Sequence, residues 1–122
     1  MIQNKHVLAL EDEPVVAFLI EDMLRDAGAA EVTLASRVAE AVAVIGQGGI
    51  DFAVLDVNVH GERSYPVADQ LLARNIPFLF ASGYGDQEHP PQYKSVPTLT
   101  KPFSLAGLLS ALDQLEDGAP GS

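Results

Sequence analysis

Short apolar segments alternate along this chain with longer segments of helical periodicity. Four of the short segments end in polar residues that suit phosphate or metal chemistry, namely Glu11 with Asp12, Asp56, Ser82 and Lys101. Alternating strands and helices predict a parallel sheet, because each crossover between parallel strands needs a helix. The carboxyl ends of such strands lie at one edge of the sheet, so we expect these residues to form a single site.

The apolar spacing predicts five strand–helix units over residues 5–115. The predicted strands are 5–10, 32–35, 52–55, 78–81 and 98–100. The predicted helices are 14–27, 37–47, 66–74 and a last helix after Ser104, with Ser36 and Ser104 as expected caps. The fold class is therefore α/β, a (βα)5 flavodoxin-like, doubly wound parallel sheet of order 2-1-3-4-5. Prolines interrupt residues 83–97, so we expect a short or irregular fourth helix.

Length and composition limit the possible functions. The 122 residues, 48% of them hydrophobic, suffice for one domain, which we assign to residues 1–115. Residues 116–122 are polar and rich in Gly and Pro, which indicates a flexible tail. A net charge of −10 disfavours binding to nucleic acid. The longest strongly apolar stretch, 15–20, is too short to span a bilayer, so we expect a cytoplasmic protein that does not bind membranes.

The acidic residues at the predicted sheet edge favour a divalent cation. Asp12 and Asp56, with Glu11 nearby, would repel one another unless a cation lies among them. Mg²⁺ (or Mn²⁺) takes oxygen ligands and is commonly held by one or two carboxylates together with phosphate oxygens. The chain has no cysteine and only three scattered histidines, which argues against zinc.

Asp56 is the expected phosphoryl acceptor. It follows a strongly apolar strand, and a positioned carboxylate can attack phosphorus to form an aspartyl-phosphate. The charge on the three phosphoryl oxygens needs neutralisation, which Mg²⁺, Lys101 and the Ser82 hydroxyl could share. The backbone carbonyl of Asn58 could complete the metal shell. Each residue alone could be an ordinary turn or cap residue, but four accidents at one sheet edge are implausible.

At these residues the chain resembles the receiver domain of two-component response regulators. The resembling motifs are Leu-Glu-Asp-Glu-Pro (10–14), Val-Leu-Asp-Val-Asn (54–58), Ala-Ser-Gly-Tyr (81–84) and Lys-Pro-Phe (101–103). The resemblance covers nearly all of residues 5–115. It implies that phosphorylation by a sensor histidine kinase switches binding to a protein partner.

The resemblance also implies a role for each matching residue. Asp56 would be the phosphoacceptor, and the metal ligands would be Glu11, Asp12, Asp56 and the Asn58 backbone oxygen. Ser82 would be the hydroxyl that reports phosphorylation, and Lys101 the cation that pairs with phosphate. The surface around the first helix, residues 83–97 and the last helix is the expected docking area.

Two further segments, Gly61–Asp69 and Phe80–Gly85, look like a receiver subfamily named for a Phe-Ala-Thr-Gly-hydrophobic-Tyr (FAT GUY) motif. Such receivers resemble free-standing regulators or receivers attached to HWE-type kinases. Here Ser82 replaces the Thr of the motif, and Gly85 falls where its last Tyr is expected. The implied partners are a histidine kinase of this type and a downstream protein target or phosphotransferase, with the chain a monomer or weak dimer.

The expected switch residue of a receiver is missing. Typical receivers carry Tyr or Phe three residues before the strand-5 Lys, where this chain has Thr98. We expect Tyr84 to take over part of that role. Asn58 and Tyr84 flank the expected phosphoryl site, so they are also predicted to set the aspartyl-phosphate lifetime by controlling water entry.

Three other functions fit parts of the pattern. A haloacid-dehalogenase-type phosphatase uses Asp-x-Asp, but Asn58 stands at the second position, and an amide cannot transfer that proton. A flavin or nucleotide carrier needs a phosphate loop after the first strand, where residues 11–13 are acidic. A receiver-like interaction module that is never phosphorylated stays open. We expect no enzymatic activity beyond self-catalysed phosphotransfer and autodephosphorylation.

Overall fold

A computed structural model describes residues 2–83, 90–93 and 95–117. Its strands are β1 His6–Leu10, β2 Glu31–Ala35, β3 Phe52–Asp56, β4 Asn58–Val59, β5 Glu62–Arg63, β6 Phe78–Ser82 and β7 Thr98–Thr100. Its helices are α1 Pro14–Asp26, α2 Val38–Gln47, α3 Tyr65–Ala73 and α4 Leu105–Asp117, with a 3-10 turn at Pro91–Tyr93. Tyr84 lies outside the described residues.

Five parallel strands form the central sheet in the order β2-β1-β3-β6-β7. Because β4 and β5 pair only with each other, this is the predicted order 2-1-3-4-5 of the five longer strands. The doubly wound flavodoxin-like fold is therefore confirmed. In the register of β1 and β3, Leu10 lies beside Leu55, so the residues that follow these strands emerge next to each other.

Alternate residues of the strands face two apolar cores, one on each side of the sheet. One core contains Leu8, Leu55 and Phe80 with apolar residues of α2 and α3, and the other contains strand residues packed with α1 and α4. Strands β3 and β6 are buried along their whole length, as is usual for central strands of a parallel sheet. This burial confines reactive polar residues to the positions where the strands end.

Of the two predicted helix caps, Ser104 and Ser36, the structure has only the first. The Ser104 hydroxyl accepts a hydrogen bond from the Gly107 N–H at 3.1 Å, so the predicted cap of α4 is confirmed. The prediction that Ser36 caps α2 is wrong. Arg37 is still extended, so it is the cap residue of α2, and Ser36 donates its own N–H to the Glu40 carboxylate at 2.9 Å.

The described part of the region between β6 and β7, residues 83, 90–93 and 95–97, is irregular, as predicted. Within it the 3-10 turn is the only helical element. Helix α4 runs to Asp117, two residues into the segment assigned to the tail, and residues 118–122 lie outside the described part of the chain. None of the described helices is both long enough and apolar enough to cross a bilayer.

A short hairpin, β4–β5, was not predicted. Asn58 pairs with Arg63 and Val59 with Glu62. At the turn, His60 and Gly61 both have positive φ, 52° and 81°, which is the pattern of a two-residue hairpin loop of type I′. Strands of two residues show no periodicity, so a Gly at the second turn position was the available sequence signal.

Candidate functional site

Three carboxylates meet at the carboxyl edge of the sheet. Glu11 and Asp12 follow β1, and Asp56 is the last residue of β3. One oxygen from each of the three lies within 4.8 Å of the other two. Glu11 and Asp56 are almost fully buried, with 2% and 6% of their surface exposed, and Asp12 is half-buried. The structure therefore brings together the three acidic side chains that the sequence singled out.

Lys101 adds one positive charge to this cluster. Its Nζ lies 2.8 Å from Glu11 Oε1 and 3.2 Å from Asp56 Oδ2. The other oxygen of Glu11 accepts a hydrogen bond from the Glu13 N–H at 3.1 Å. One ammonium thus serves two buried carboxylates, and Asp12 adds a third negative charge close by.

The pKa values record this excess of negative charge. Burial and the charge of Glu11 raise the pKa of Asp56 from 3.8 to about 6, although Lys101 opposes the rise. Burial alone would lower the pKa of Lys101, but its hydrogen bond to Glu11 and the two carboxylate charges raise it above its ordinary value. Lys101 is therefore charged. The ionised form of Asp56 is disfavoured relative to that of an exposed aspartate.

Asp12 is tied to the β4–β5 hairpin. The N–H of His60 donates a hydrogen bond to Asp12 Oδ2 at 3.1 Å, although 48 residues separate them in sequence. Burial would raise the pKa of Asp12, but hydrogen bonds, that from His60 foremost, lower it below its ordinary value. Asp12 therefore stays ionised beside the other two carboxylates.

Ser82 and Asn58 are two further residues that the sequence singled out. Ser82 ends β6, and its strand neighbour Ala81 lies beside Asp56 in the sheet register. The Ser82 hydroxyl is buried and, like that of Ser64, has no hydrogen-bond partner among the described residues. Asn58 begins β4 with an exposed side chain, two residues beyond Asp56. The predicted metal contact of its backbone oxygen stays a prediction.

Tyr93 is a buried residue that the sequence analysis missed. Its ring stacks on Tyr65 at 5.1 Å and meets Phe80 edge to face at 5.7 Å. Its hydroxyl donates to the Asp69 carboxylate and lies 3.2 Å from the Tyr65 carbonyl oxygen. Burial, together with Asp69, raises the pKa of Tyr93 to about 12. Tyr93 follows two prolines in a segment without periodicity, so its burial had no sequence signal.

The crowding of carboxylates predicts that Asp56→Asn stabilises the metal-free chain. The amide carries no charge, so Glu11 keeps Lys101 and loses a like-charged neighbour. We expect the free energy of unfolding to rise by about 1–2 kcal/mol near neutral pH, measured by denaturant unfolding with a chelator present. The gain should shrink as the pH falls from about 6 towards 3.8, because Asp56 is then protonated in the folded parent chain.

The matched control is Asp22→Asn, which removes an exposed carboxylate from α1. We expect its stability to stay within about 0.5 kcal/mol of the parent chain. Equal unfolding free energies for Asp56→Asn and the parent would contradict the repulsion.

Comparison with known proteins identifies the family. Residues 7–113 match the family model described as "Response regulator receiver domain". No curated protein shows a significant match to the sequence.

Solved structures with the same fold include close relatives of this chain. The solution structure of SdrG from Sphingomonas melonis Fr1 is 42% identical, with a TM-score of 0.82 over 92% of this chain and 96% of SdrG. The BeF3-activated conformation of SdrG from Pseudomonas melonis Fr1 is 41% identical, with a TM-score of 0.78 over 94% and 98% of the two chains.

A more distant structure shares the fold alone. TrrA from Thermotoga maritima, solved in complex with Mg²⁺ and BeF, is 21% identical, with a TM-score of 0.78 over 91% of this chain and 98% of TrrA. The family match over most of the sequence and the identity to SdrG agree with the acidic site at the sheet edge. This chain belongs to the family of response regulator receiver domains.

Proposed function

We propose that a sensor histidine kinase transfers a phosphoryl group to Asp56 in a reaction that requires Mg²⁺. Phosphorylation then changes the affinity of the chain for a protein partner. The observation that carries this proposal is the buried Asp56 carboxylate, which contacts the Lys101 ammonium and lies close to the carboxylates of Glu11 and Asp12. Membership of the receiver family and the likeness to SdrG, of which a BeF3-activated form is known, support it.

In the proposed transfer, an oxygen of Asp56 bonds to phosphorus while the bond from phosphorus to the kinase imidazole nitrogen breaks. The electron pair of that bond stays on the imidazole. Lys101, already 3.2 Å from Asp56 Oδ2, can donate to a phosphoryl oxygen. The buried Ser82 hydroxyl, which has no partner among the described residues, can donate to another. A phosphoryl oxygen would give this hydroxyl the hydrogen bond whose absence costs about 1–3 kcal/mol.

The site residues fit Mg²⁺ or Mn²⁺ because the donor set consists of carboxylate oxygens. Glu11, Asp12 and Asp56 each offer one oxygen within reach of the others, and hard cations of this kind prefer such ligands. The Asn58 carbonyl would add a further oxygen. When bound, the ion would neutralise negative charge on the carboxylates and on the phosphoryl oxygens. The single ammonium of Lys101 does not balance the three carboxylate charges of the cluster, and this excess of negative charge favours a divalent cation.

We propose the FAT GUY subfamily, with an HWE-type kinase, as the finer assignment. Its support is the Phe80–Gly83 segment, with Ser82 in place of the Thr of the motif. The downstream partner would be a protein target or a phosphotransferase rather than nucleic acid or membrane, because the net charge is −10. The chain would act as a monomer or weak dimer in the cytoplasm, with no enzymatic activity beyond its own phosphotransfer and autodephosphorylation.

The proposed docking surface includes α1, which presents apolar side chains beside the site. Val15, Phe18 and Leu19 are 72%, 62% and 56% exposed. Phe18 shares a pocket with Glu11 and Asp12, and Leu19 lies in a second pocket with Lys101. A kinase that brings its phosphohistidine to Asp56 would cover these side chains.

Acetyl phosphate with Mg²⁺ should add one phosphoryl group to the chain, on Asp56. Intact-mass spectrometry detects the adduct and peptide mapping locates it. Asp56→Asn and addition of a chelator should each abolish labelling, whereas the exposed Asp22→Asn should leave it unchanged. If the chain stays unlabelled in a reaction that labels another receiver, it is an interaction module that works without phosphorylation.

Phe18→Ala should slow phosphotransfer from a histidine kinase that phosphorylates the parent chain. Loss of an apolar anchor costs about 1–2 kcal/mol at an interface, so we expect kcat/KM to fall about tenfold. Labelling by acetyl phosphate should be unchanged, because the small donor does not cover α1. Leu72→Ala, which truncates a 42% exposed leucine on α3, is the matched control. An equal loss in both variants would remove α1 from the docking surface.

Asn58→Ala and Tyr84→Ala should shorten the lifetime of the aspartyl-phosphate. Each change removes a side chain that we place beside the phosphoryl group, so water enters more easily and hydrolysis speeds up by about three- to tenfold. Loss of label after removal of the donor measures the rate, and Gln70→Ala on the exposed face of α3 is the control. Decay at the parental rate would rule out control of the aspartyl-phosphate lifetime by these side chains.

The switch role of Tyr84 has a separate test. Unchanged NMR shifts over residues 83–97 on phosphorylation would rule it out.

A further inference from the structure

The β4–β5 hairpin contains one proposed metal ligand and contacts another. The Asn58 carbonyl belongs to β4. At the turn, the His60 N–H donates a hydrogen bond to Asp12 Oδ2 at 3.1 Å. Two ligands from distant parts of the sequence therefore depend on the conformation of one six-residue element.

The hairpin is fixed to the domain at its base. Val59 is completely buried and packs in the same core as Val57 and Val67. The Ser64 N–H donates to the Val57 carbonyl at 2.9 Å, which closes the base where α3 begins. Because the base cannot move freely, the conformation of the turn decides where the His60 N–H points.

The turn itself is held in a conformation that few residues adopt. His60 and Gly61 have φ of 52° and 81°, in the left-handed region, where a side chain costs roughly 1–2 kcal/mol. A Cβ at Gly61 would meet no atom within 4 Å, so a substitution there would act through the backbone conformation rather than through a clash. A histidine with left-handed backbone conformation is strained, and such strain is often found at functional sites.

We propose that the His60–Gly61 turn is a positioning element for the metal site. The His60 N–H holds one oxygen of Asp12, which leaves the second oxygen for the cation, and the same hairpin sets the Asn58 carbonyl. This inference rests on the proposed function, because it assumes that a divalent cation binds at Glu11, Asp12 and Asp56. Without the turn, Asp12 loses the hydrogen bond from His60 and is less well ordered, and ordering it again when the cation binds weakens the affinity.

The test is a Mg²⁺ titration of the unphosphorylated chain, followed by amide NMR shifts. Gly61→Ala should weaken Mg²⁺ binding about three- to tenfold, because Ala disfavours the left-handed turn. Gly48→Ala is the matched control, since Gly48 also has a positive φ, 84°, and open space around its Cα, but lies at the end of α2. Both variants should lose similar unfolding free energy, and Gly48→Ala should bind Mg²⁺ like the parent chain.

Gly61→Asn should recover most of the affinity, because Asn tolerates the left-handed region better than Ala. The His60 amide gives an independent readout: Asp12→Ala should move its proton shift upfield and speed its exchange while leaving the shifts of Val59 and Glu62 in place. Gly61→Ala with parental Mg²⁺ affinity, or equal weakening in Gly48→Ala, would overturn the positioning role while the metal proposal survives. A parent chain that binds no Mg²⁺ would overturn both.

Discussion

The Lys101 ammonium, shared between Glu11 and Asp56, is the contact on which the arrangement of the site depends. It joins the carboxyl ends of β1, β3 and β7 through side chains at the sheet edge. Glu11 is buried with its second oxygen bound to the Glu13 N–H, so removal of the ammonium would leave a buried charge without its partner. Such a charge typically costs about 3–5 kcal/mol. The same contact therefore supports the fold and holds the proposed phosphoacceptor in place.

The shared ammonium also makes the site responsive to added charge. In the unmodified chain, Lys101 divides its hydrogen bonds between two carboxylates, and neither is fully neutralised. A phosphoryl group on Asp56 would present further negative oxygens to the same Nζ. The ammonium would then be drawn from Glu11 towards the phosphoryl group, and Glu11 would be left to a cation. Under the proposed function, phosphorylation and metal binding are coupled because both act on the one positive charge of this cluster.

The parts of this structure that sequence could predict are those governed by burial along the strands. Strands β3 and β6 are apolar up to their last residues, Asp56 and Ser82, and parallel pairing brings those ends together. The hairpin could not be predicted in the same way, because two-residue strands have no period and the bond from His60 to Asp12 spans 48 residues. The Ser36 cap failed because Arg37 is the residue at the cap position, and both the N–H and the hydroxyl of Ser36 donate to the Glu40 carboxylate.

Typical receivers have an aromatic residue where this chain has Thr98, and here Tyr93 supplies an aromatic contact to Phe80. Thr98 on β7 lies beside Phe80 on β6 in the sheet register, so a small side chain occupies the place next to that ring. Tyr93 meets the same ring edge to face, and its hydroxyl bonds to Asp69 on α3. Phe80 precedes Ser82 by two residues on the same strand and therefore faces the same side of the sheet. The strand that ends in Ser82 is therefore linked to α3 through the Phe80 and Tyr93 rings and the bond from Tyr93 to Asp69.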